Sequence, residues 1–219
     1  MSYPISHELI CESCKKQFIV TLWQSVNVET DPRLKSELMK RRLFQFRCPK
    51  CKTVMDREYD VLYHDMKKCF MVWLKHPAEN EVMTMHSEAL GFTNLHRPGY
   101  RLRLVTKYGA LLEKIHCFDN DLDDRVIELV KTTVYQQLYA ASLDSSVPFY
   151  FAGLQKSIWR KTEMNFVSVT SAGEHWYHVP FSPMYDVATQ QLRQICRTPA
   201  PSNEWLLVNR SYLDSLSQL

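Results

Sequence analysis

Alternating apolar and polar side chains predict short strands in the first third of the chain. Five segments show this pattern: Leu9–Ile10, Phe18–Val28, Phe44–Arg47, Val54–Tyr63 and Cys69–Leu74. Residues 64–68 separate the last two segments and are mostly polar, so these two segments are predicted as a hairpin. The first and third segments each end directly before a pair of cysteines, which places both pairs at strand ends.

Apolar residues at helical spacing predict two helices that organise the chain. The first covers residues 32–42, where Pro32 fits the first turn and Thr30 or Asp31 can cap free backbone N–H groups. The second, Leu122–Ala141, carries apolar residues over a broad face, which predicts substantial burial.

The remainder of the chain mixes further strands and helices. Strands are predicted over residues 100–105, 147–152, 165–170, 174–179 and 205–208. Helices are predicted over residues 111–118, 183–195 and 210–216. Residues 75–99 are polar and contain prolines and glycines, so they are predicted as a connection with a short helix near 81–90. This mixture predicts an α+β fold.

The composition is that of a globular protein, with 45% hydrophobic and 23% charged residues. Only five glycines are present, which argues against a Gly-rich nucleotide loop. No apolar run approaches the roughly 18 residues that a membrane span needs, so no membrane partner is expected. The first residues lack the pattern of a signal peptide. We therefore expect a cytoplasmic, reducing compartment, in which the seven cysteines are not disulfides.

Four of the cysteines form two pairs with the same spacing, Cys11 with Cys14 and Cys48 with Cys51. Two intervening residues allow one tight turn to direct both sulfurs at one ion. Zinc binds four thiolates at tetrahedral corners, with Zn–S distances of about 2.3 Å. Because protein would fill all four positions, no position remains for water. The spacing therefore predicts a structural Zn²⁺ site rather than a hydrolytic one.

Other interpretations of these pairs stay open. Either pair alone could be a thioredoxin-type dithiol, and a tetrahedral site of four sulfurs also accepts iron. The 33 residues between Cys14 and Cys48 exceed the spacing of compact zinc ribbons, and the helix predicted between them accounts for the excess. The three other cysteines lie in or beside apolar segments and are predicted as buried thiols: Cys69, Cys117 and Cys196.

Positive charge is concentrated in the first third of the chain. Residues 1–75 carry 14 Lys and Arg against 9 Asp and Glu, whereas residues 76–219 carry 13 against 15. A basic region of this kind is typical of nucleic-acid binding. Four thiolates with one Zn²⁺ carry a formal charge of −2, however, so the excess of +5 falls to about +3. Part of the basic charge is therefore expected to neutralise the metal cluster.

Several segments of the sequence together resemble the CpXC domain family of bacterial proteins. They are the first cysteine pair, Trp23–Pro32, Leu43–Cys51, Tyr59–Leu74 and Leu102–Lys131. The first pair here lacks the proline of the family motif, which only Cys48-Pro49-Lys50-Cys51 contains, but metal binding does not need that proline. The resemblance covers about residues 8–131 and implies a zinc-binding domain. It implies no catalytic activity.

His64 and Asp65 are candidates for a general-base pair. Adjacent residues on a strand face opposite sides, however, and Asp is common in turns for structural reasons. An enzyme would need an open cleft that includes His64 or a pair of carboxylates elsewhere in the chain. We therefore expect no enzymatic activity.

Asp124 and Glu128 are such a pair, because they lie four residues apart on one face of the long helix. Paired carboxylates can bind a metal or transfer protons, whereas capping and intrahelical ion pairs are the ordinary alternative. Residues 119–121 can each cap this helix, so Asp124 is not needed for capping. We expect Asp124 or Glu128 to pair with Lys114 or Arg101 in a partly buried network with a structural role.

These observations predict a zinc-ribbon-like N-terminal lobe with a helical insertion over residues 1–75, packed on an α+β lobe over residues 76–219 that carries the long helix. The predicted function is that of a cytoplasmic, zinc-stabilised protein-interaction or adaptor protein without enzymatic activity, such as a regulatory or toxin-neutralising subunit. The alternative is nucleic-acid binding through basic residues of the zinc lobe: Lys15, Lys16, Arg41, Arg42, Arg47, Lys50 and Lys52.

Overall fold

The computed structural model describes residues 1–76, 99–138, 147–157, 159–196 and 204–216. These residues form two units, each with its own strands and helices. The first unit holds the described residues up to Tyr108 together with Glu204 and Trp205, and the second unit holds the remainder. The predicted α+β class is confirmed. The short helix predicted near residues 81–90 lies outside the described residues.

A six-stranded sheet organises the first unit. The strands among the described residues up to Val105 are β1 (Tyr3–Ile10), β2 (Gln17–Asn27), β3 (Gln45–Arg47), β4 (Val54–Asp56), β5 (Val61–Asp65), β6 (Phe70–Leu74) and β7 (Arg101–Val105). The sheet has the order β1-β2-β5-β6-β7, and β11 (Trp205–Leu206) completes it beside β7. The pairs β2 with β5 and β6 with β7 are parallel, whereas β1 with β2 and β5 with β6 are antiparallel. Strands β3 and β4 form a separate antiparallel ribbon.

Both faces of the central strands β5, β6 and β7 are covered. Alternate residues of these strands form one buried cluster in which Met71, Leu102 and Leu104 pack with Trp205. The residues between them, such as Val72 on β6, are also buried. Strands buried on both faces are apolar nearly throughout, which explains the continuous apolar character of β6 and β7.

Helix α1 spans Pro32–Met39 and ends three residues before the predicted limit of the 32–42 helix. Proline takes the first helical position as predicted, whereas Asp31 at the N-cap makes no side-chain hydrogen bond to the helix. The helix ends early because Arg41 adopts a left-handed conformation, with φ of 62°. This conformation turns the chain into a short 3₁₀ turn at Arg42–Phe44, which leads into β3.

The stretch Val54–Tyr63 was predicted as one strand, and this prediction was wrong. It contains β4, which pairs with β3, and the start of β5, which pairs with β2 and β6. Between the two strands, the backbone N–H of Arg57 donates to the carbonyl of Phe44, and the hydroxyl of Tyr59 donates to the carbonyl of Leu43. These bonds to residues distant in sequence draw the chain out of the ribbon before β5 begins.

In its described residues, the second unit contains a three-stranded antiparallel sheet and four helices. Its strands are β8 (Phe149–Gln155), β9 (Glu163–Thr170) and β10 (Gly173–Pro180), in the order β10-β9-β8. Its helices are α2 (Tyr108–Asp119), α3 (Asp124–Leu138), α4 (Phe181–Ile195) and α5 (Arg210–Leu216). The strands and helices predicted in this part of the chain are confirmed, with ends shifted by a few residues. No described helix is long and apolar enough to span a bilayer.

Helix α3 begins two residues later than predicted, and its predicted end at Ala141 lies outside the described residues. Residues 119–121 were predicted as its caps, but Asp123 has this role. Its Oδ1 accepts a hydrogen bond of 2.9 Å from the backbone N–H of Arg125. Asp123 fits this role because an N-cap side chain accepts from the N–H two or three residues further along the helix.

A tight turn joins β9 to β10. Thr170 pairs with Gly173 across a two-residue turn, and Gly173 has φ of 122°, which favours glycine. The ring of Phe149 on β8 stacks on that of Phe166 on β9, with ring centroids 5.4 Å apart. Such stacked aromatic pairs stabilise one face of the sheet as part of the unit's core.

Candidate metal centre

The structure brings the four predicted metal ligands together. The Sγ atoms of Cys11, Cys14, Cys48 and Cys51 all lie within 4.8 Å of one another. The distance between Cys11 and Cys51 sulfurs is 3.5 Å, and that between Cys14 and Cys48 sulfurs is 3.6 Å. A tetrahedral ion with metal–sulfur bonds of about 2.3 Å requires sulfur–sulfur distances of about 3.8 Å. These four residues therefore form a donor set that can hold one metal ion.

The first pair of cysteines lies in a tight turn after β1. The backbone N–H of Cys11 donates to the carbonyl of Lys16, and the N–H of Lys15 donates back to the carbonyl of Cys11, each at 2.9 Å. Lys15 adopts a left-handed conformation with φ of 57°. These two bonds close the turn and fix Cys11 and Cys14 on the same side of it.

The second pair repeats this backbone geometry. The N–H of Cys48 donates to the carbonyl of Thr53 at 2.9 Å, and the N–H of Lys52 donates to the carbonyl of Cys48 at 3.0 Å. Lys52 has φ of 63° and follows Cys51 as Lys15 follows the second cysteine of the first pair. Two turns of the same construction thus face each other across the sulfur cluster, which is the arrangement of a zinc ribbon.

Hydrogen bonds tune the thiols differently at the two turns. The hydroxyl and backbone N–H of Thr53 lower the pKa of Cys51 to about 6. The backbone N–H of Lys16 lowers the pKa of Cys14, but burial and the three neighbouring sulfurs outweigh it and raise the pKa to about 11. Four thiols at this separation cannot all ionise easily by themselves. Metal ligation requires the thiolate form, and the positive charge of a bound divalent cation offsets the repulsion between the four thiolates.

Apolar residues surround the sulfur cluster. Cys11 and Cys48 are buried with Phe46 and Met55 in one small cluster, against which side chains of β1 and β2 pack. The cluster therefore joins the β1–β2 hairpin to the β3–β4 ribbon. The sulfur site and this apolar cluster together connect the two hairpins.

An α+β fold with a zinc-ribbon-like lobe defines the class of this protein. A family model described as CpXC protein matches residues 9–131, more than half of the chain and all four cysteines of the site. The chain belongs to the CpXC family. No curated protein and no solved structure matches it at significant similarity.

Acidic side chains hold two of the basic residues predicted as nucleic-acid contacts. Arg41 binds Asp56 through two hydrogen bonds of 2.7 and 2.8 Å and also lies 2.7 Å from Glu58. Its guanidinium stands over the ring of Tyr108, 4.7 Å from the ring centroid. Arg42 lies 3.2 Å from an acidic side chain of α1. These two arginines therefore have structural partners, which weakens the prediction of a continuous phosphate-binding surface.

His64 and Asp65 do not form a catalytic pair in the structure. Both lie in β5 rather than in the predicted turn, because His64 pairs with Met71 across the hairpin. His64 Nε2 lies 2.9 Å from the hydroxyl of Tyr100, and Asp65 Oδ1 accepts a hydrogen bond from the backbone N–H of Lys68. The histidine thus has a local hydrogen-bond partner, and the aspartate stabilises the turn.

Asp124 lies in a buried charge cluster, as expected. Lys114 Nζ lies 3.2 Å from Asp124 Oδ2 and 3.6 Å from Glu113 Oε1, and both members of the first pair are 1% exposed. Burial lowers the pKa of Lys114, but the surrounding carboxylates outweigh it, so the net pKa is raised. Arg101, the other predicted partner, donates to the carbonyl of Lys68 in the first unit.

Glu128 belongs to the same cluster through a second lysine. Lys131 Nζ lies 2.8 Å from Glu128 and 2.9 Å from Glu113. Glu113 also accepts a hydrogen bond of 2.9 Å from the backbone N–H of Phe151 on β8. Three carboxylates and two ammonium groups thus join α2, α3 and β8. The sequence signal for Glu113 was a charged pair inside an apolar helix, which alone does not distinguish burial from a solvated face.

Thr53 is a residue of the metal centre that sequence reasoning missed. Its hydroxyl lies 3.3 Å from the sulfur of Cys51, two residues earlier. The only signal was a hydroxyl residue just after the second cysteine pair. Among the three other cysteines, Cys117 is buried as predicted, whereas Cys69 and Cys196 are only partly buried, so the prediction was wrong for those two.

Replacing Asp124 tests the structural role of the charge cluster. Asp124→Ala leaves Lys114 buried without its nearest partner, and we expect a loss of about 3–5 kcal/mol in the free energy of unfolding. Glu37→Ala is the matched control, because Glu37 and Arg42 also lie 3.2 Å apart but are more exposed. Its expected loss is under about 1 kcal/mol. Equal, small losses in urea unfolding of both variants would contradict a structural role.

Acid unfolding tests Glu113. Burial raises its pKa, but Lys131 and Lys114 outweigh this effect, so the pKa lies below its ordinary value of 4.5. Its stabilisation is therefore present above pH 4.5 and is lost as the pH falls through the folded-state pKa. We expect Glu113→Gln to be less stable than the native protein at neutral pH and to lose less stability on acidification. Urea unfolding at several pH values measures this, and an unchanged acid dependence would contradict it.

Proposed function

We propose that the four cysteines bind one Zn²⁺ as a structural ion. The sulfur separations of 3.5 and 3.6 Å, close to those of a tetrahedral ion, carry this proposal. Cys11, Cys14, Cys48 and Cys51 would fill all four positions, so the ion would link the two hairpins rather than activate water. A reducing cytoplasm suits such a site, because thiolate ligands there stay unoxidised. Iron is the alternative ion for four sulfurs.

Metal analysis of Cys48→Ser beside the native protein tests this proposal. We expect about one zinc per native chain and little in Cys48→Ser, together with a loss on the order of several kcal/mol in folding free energy, because binding and folding are coupled. Cys196→Ser, outside the sulfur cluster, should retain zinc and most of its stability. Well-folded native protein that contains no metal, or contains iron after reduction, would contradict zinc binding.

We further propose that the zinc lobe binds another protein and has no enzymatic activity. Exposed aliphatic side chains beside the metal turns support this: Ile10 directly precedes Cys11, Ile19 is 75% exposed, and Val54 directly follows Thr53. Ile10 and Ile19 lie on the same face of the β1–β2 hairpin, because Ile10 pairs with Gln17 and Glu8 with Ile19. Apolar groups grouped in this way are typical of protein-binding surfaces.

The remaining candidate sites also favour a binding role over catalysis. A closed set of four thiolates offers no position for a substrate, and the carboxylates of Asp124 and Glu128 are engaged by lysines. A regulatory or toxin-neutralising subunit is one such role, by analogy with other small zinc-ribbon proteins. Nucleic-acid binding stays the alternative, with Lys15 and Lys16 beside the first metal turn as its basic residues.

Affinity purification from the native host tests the binding surface. Ile19→Glu should abolish capture of a protein partner, because a charge in an apolar interface must be desolvated. Val187→Glu is the matched control: it introduces the same charge at another exposed apolar residue, in the second unit. Both variants should retain zinc and melt as the native protein does.

Equal capture by the native protein and Ile19→Glu would contradict this binding surface. Capture of nucleic acid instead, retained at about 0.2 M salt and lost in a Lys15→Glu, Lys16→Glu double variant, would support the alternative.

A further inference from the structure

The two edges of the three-stranded sheet differ in how their backbone groups are satisfied. At the β8 edge, the outward N–H of Phe151 donates to the buried carboxylate of Glu113. Strand β10 forms the other edge, and its eight residues pair only with β9 among the described residues. An open edge of this kind is a template for pairing with a further strand.

The hydrogen-bond pattern identifies which residues of β10 face outward. The two-residue turn makes Thr170 and Gly173 a hydrogen-bonded pair, so alternate residues from Gly173 onwards bond to β9. The bond of 2.9 Å from the N–H of Phe181 to the carbonyl of Thr162 continues this alternation beyond the strand. The backbone groups of the residues between them point away from β9. Pro180 is one of these, which fits its lack of an N–H.

The three other outward residues are Glu174, Trp176 and His178, and all three have exposed side chains on one face of the sheet. Trp176 is 53% exposed. His178 is held in place because its Nδ1 lies 2.8 Å from Asn165 Oδ1 on β9. The edge therefore presents an acidic, an aromatic and a basic side chain in order, with their backbone groups open.

We propose that β10 pairs antiparallel with β10 of a second copy of this chain, centred on Trp176. In this register Trp176 lies opposite its own counterpart, and Glu174 lies opposite His178 of the partner subunit at both ends. This register pairs all three outward residues, Glu174, Trp176 and His178, with outward residues of the partner strand. Other antiparallel registers of β10 with itself pair fewer of these residues or extend into the turn or Pro180. Aromatic cross-strand pairs stabilise antiparallel strands, and a carboxylate opposite a protonated imidazole does so as well.

Strand β1 is also an edge strand, but its sequence disfavours pairing with itself. The bond from the N–H of Cys11 to the carbonyl of Lys16 makes Ser6, Glu8 and Ile10 its outward residues. The longest self-pairing of these three residues would place Glu8 opposite Glu8, and like charges directly opposite are destabilising. The self-complementary order of charges thus distinguishes β10 from β1.

Pairing through one strand per subunit forms a small interface, so the dimer is expected to be weak. Sedimentation analysis of the full metal-loaded chain, at concentrations up to about 0.5 mM, can detect such a dimer. The expected result is a reversible rise in mass from 25.8 kDa towards twice that value. A native protein that stays monomeric over this range overturns the proposal, even where it captures other proteins through β10.

Charge variants test the register. At about pH 6, where imidazole side chains are largely protonated, Glu174→Lys should raise the dimer dissociation constant about tenfold, because lysine then faces His178 of the partner subunit in two symmetric pairs. The double variant Glu174→Lys, His178→Glu should restore dimerisation, since an acid and a base again lie opposite each other. Glu8→Lys makes the same charge change on the other edge strand and should have no effect. Equal dissociation constants for all four proteins overturn the proposed interface.

A backbone variant tests the hydrogen bonds themselves. Trp176→Pro removes an outward N–H and none of the bonds between β10 and β9, so it should be monomeric with an unchanged melting temperature. A folded Trp176→Pro variant that dimerises as the native protein does overturns the proposal. If this variant does not fold, the charge variants alone test the interface. This dimer is separate from the proposed binding surface of the zinc lobe. Ile19→Glu should therefore lose the protein partner but dimerise normally, so failure of the binding surface and failure of the dimer can be told apart.

Discussion

The convergence of four sulfurs from two separate hairpins is the constraint on which the N-terminal half of the first unit depends. Each hairpin ends in a turn with the same pattern of two backbone hydrogen bonds and one left-handed lysine, Lys15 or Lys52. Strands β3 and β4 have only three residues each, and an isolated two-stranded ribbon is marginally stable in water. The apolar cluster around Phe46 and Met55 is small. A metal ion that links the turns would therefore stabilise a contact that apolar burial alone supports weakly.

In the second unit, charged side chains rather than a metal site connect the secondary-structure elements. Its sheet has three strands among the described residues, and at the edge strand β8 the N–H of Phe151 donates to a carboxylate instead of to another strand. Glu113 can serve there because Lys114 and Lys131 compensate the cost of burying its charge. Removing one member leaves the others uncompensated, whereas the complete network need not be more stable than an apolar core of the same shape. Its effect is to fix the position of α2 and α3 against β8.

Local sequence patterns predicted most helices and strands. The errors occurred where contacts between residues distant in sequence determine where a helix or strand begins or ends. The cysteine spacing and the alternation in β2 depend on neighbouring residues and were read correctly. Val54–Tyr63 was predicted as one strand because its break arises from hydrogen bonds to Phe44 and Leu43, which lie more than ten positions earlier than their donors. Helix α1 ends at Met39, shortly before the left-handed Arg41, whose guanidinium is held by two acids of a later segment. Burial of Glu113 was likewise undecidable from its own helix, since its partners Lys131 and the N–H of Phe151 lie on α3 and β8.

The edge strands β1, β8 and β10 show how outward side chains determine what happens to the open backbone groups of a strand. Every open sheet edge offers unpaired N–H and C=O groups, and a chain can satisfy, repel or use them. Glu113 accepts a hydrogen bond from the outward N–H of Phe151 on β8, and Glu8 on β1 opposes pairing of that strand with its own copy. On β10 the order Glu174, Trp176, His178 places an acid opposite an imidazole when two copies pair, and Pro180 limits the pairing to the residues before it. Side chains at outward positions therefore determine which edge is available, although the backbone is the same at all three.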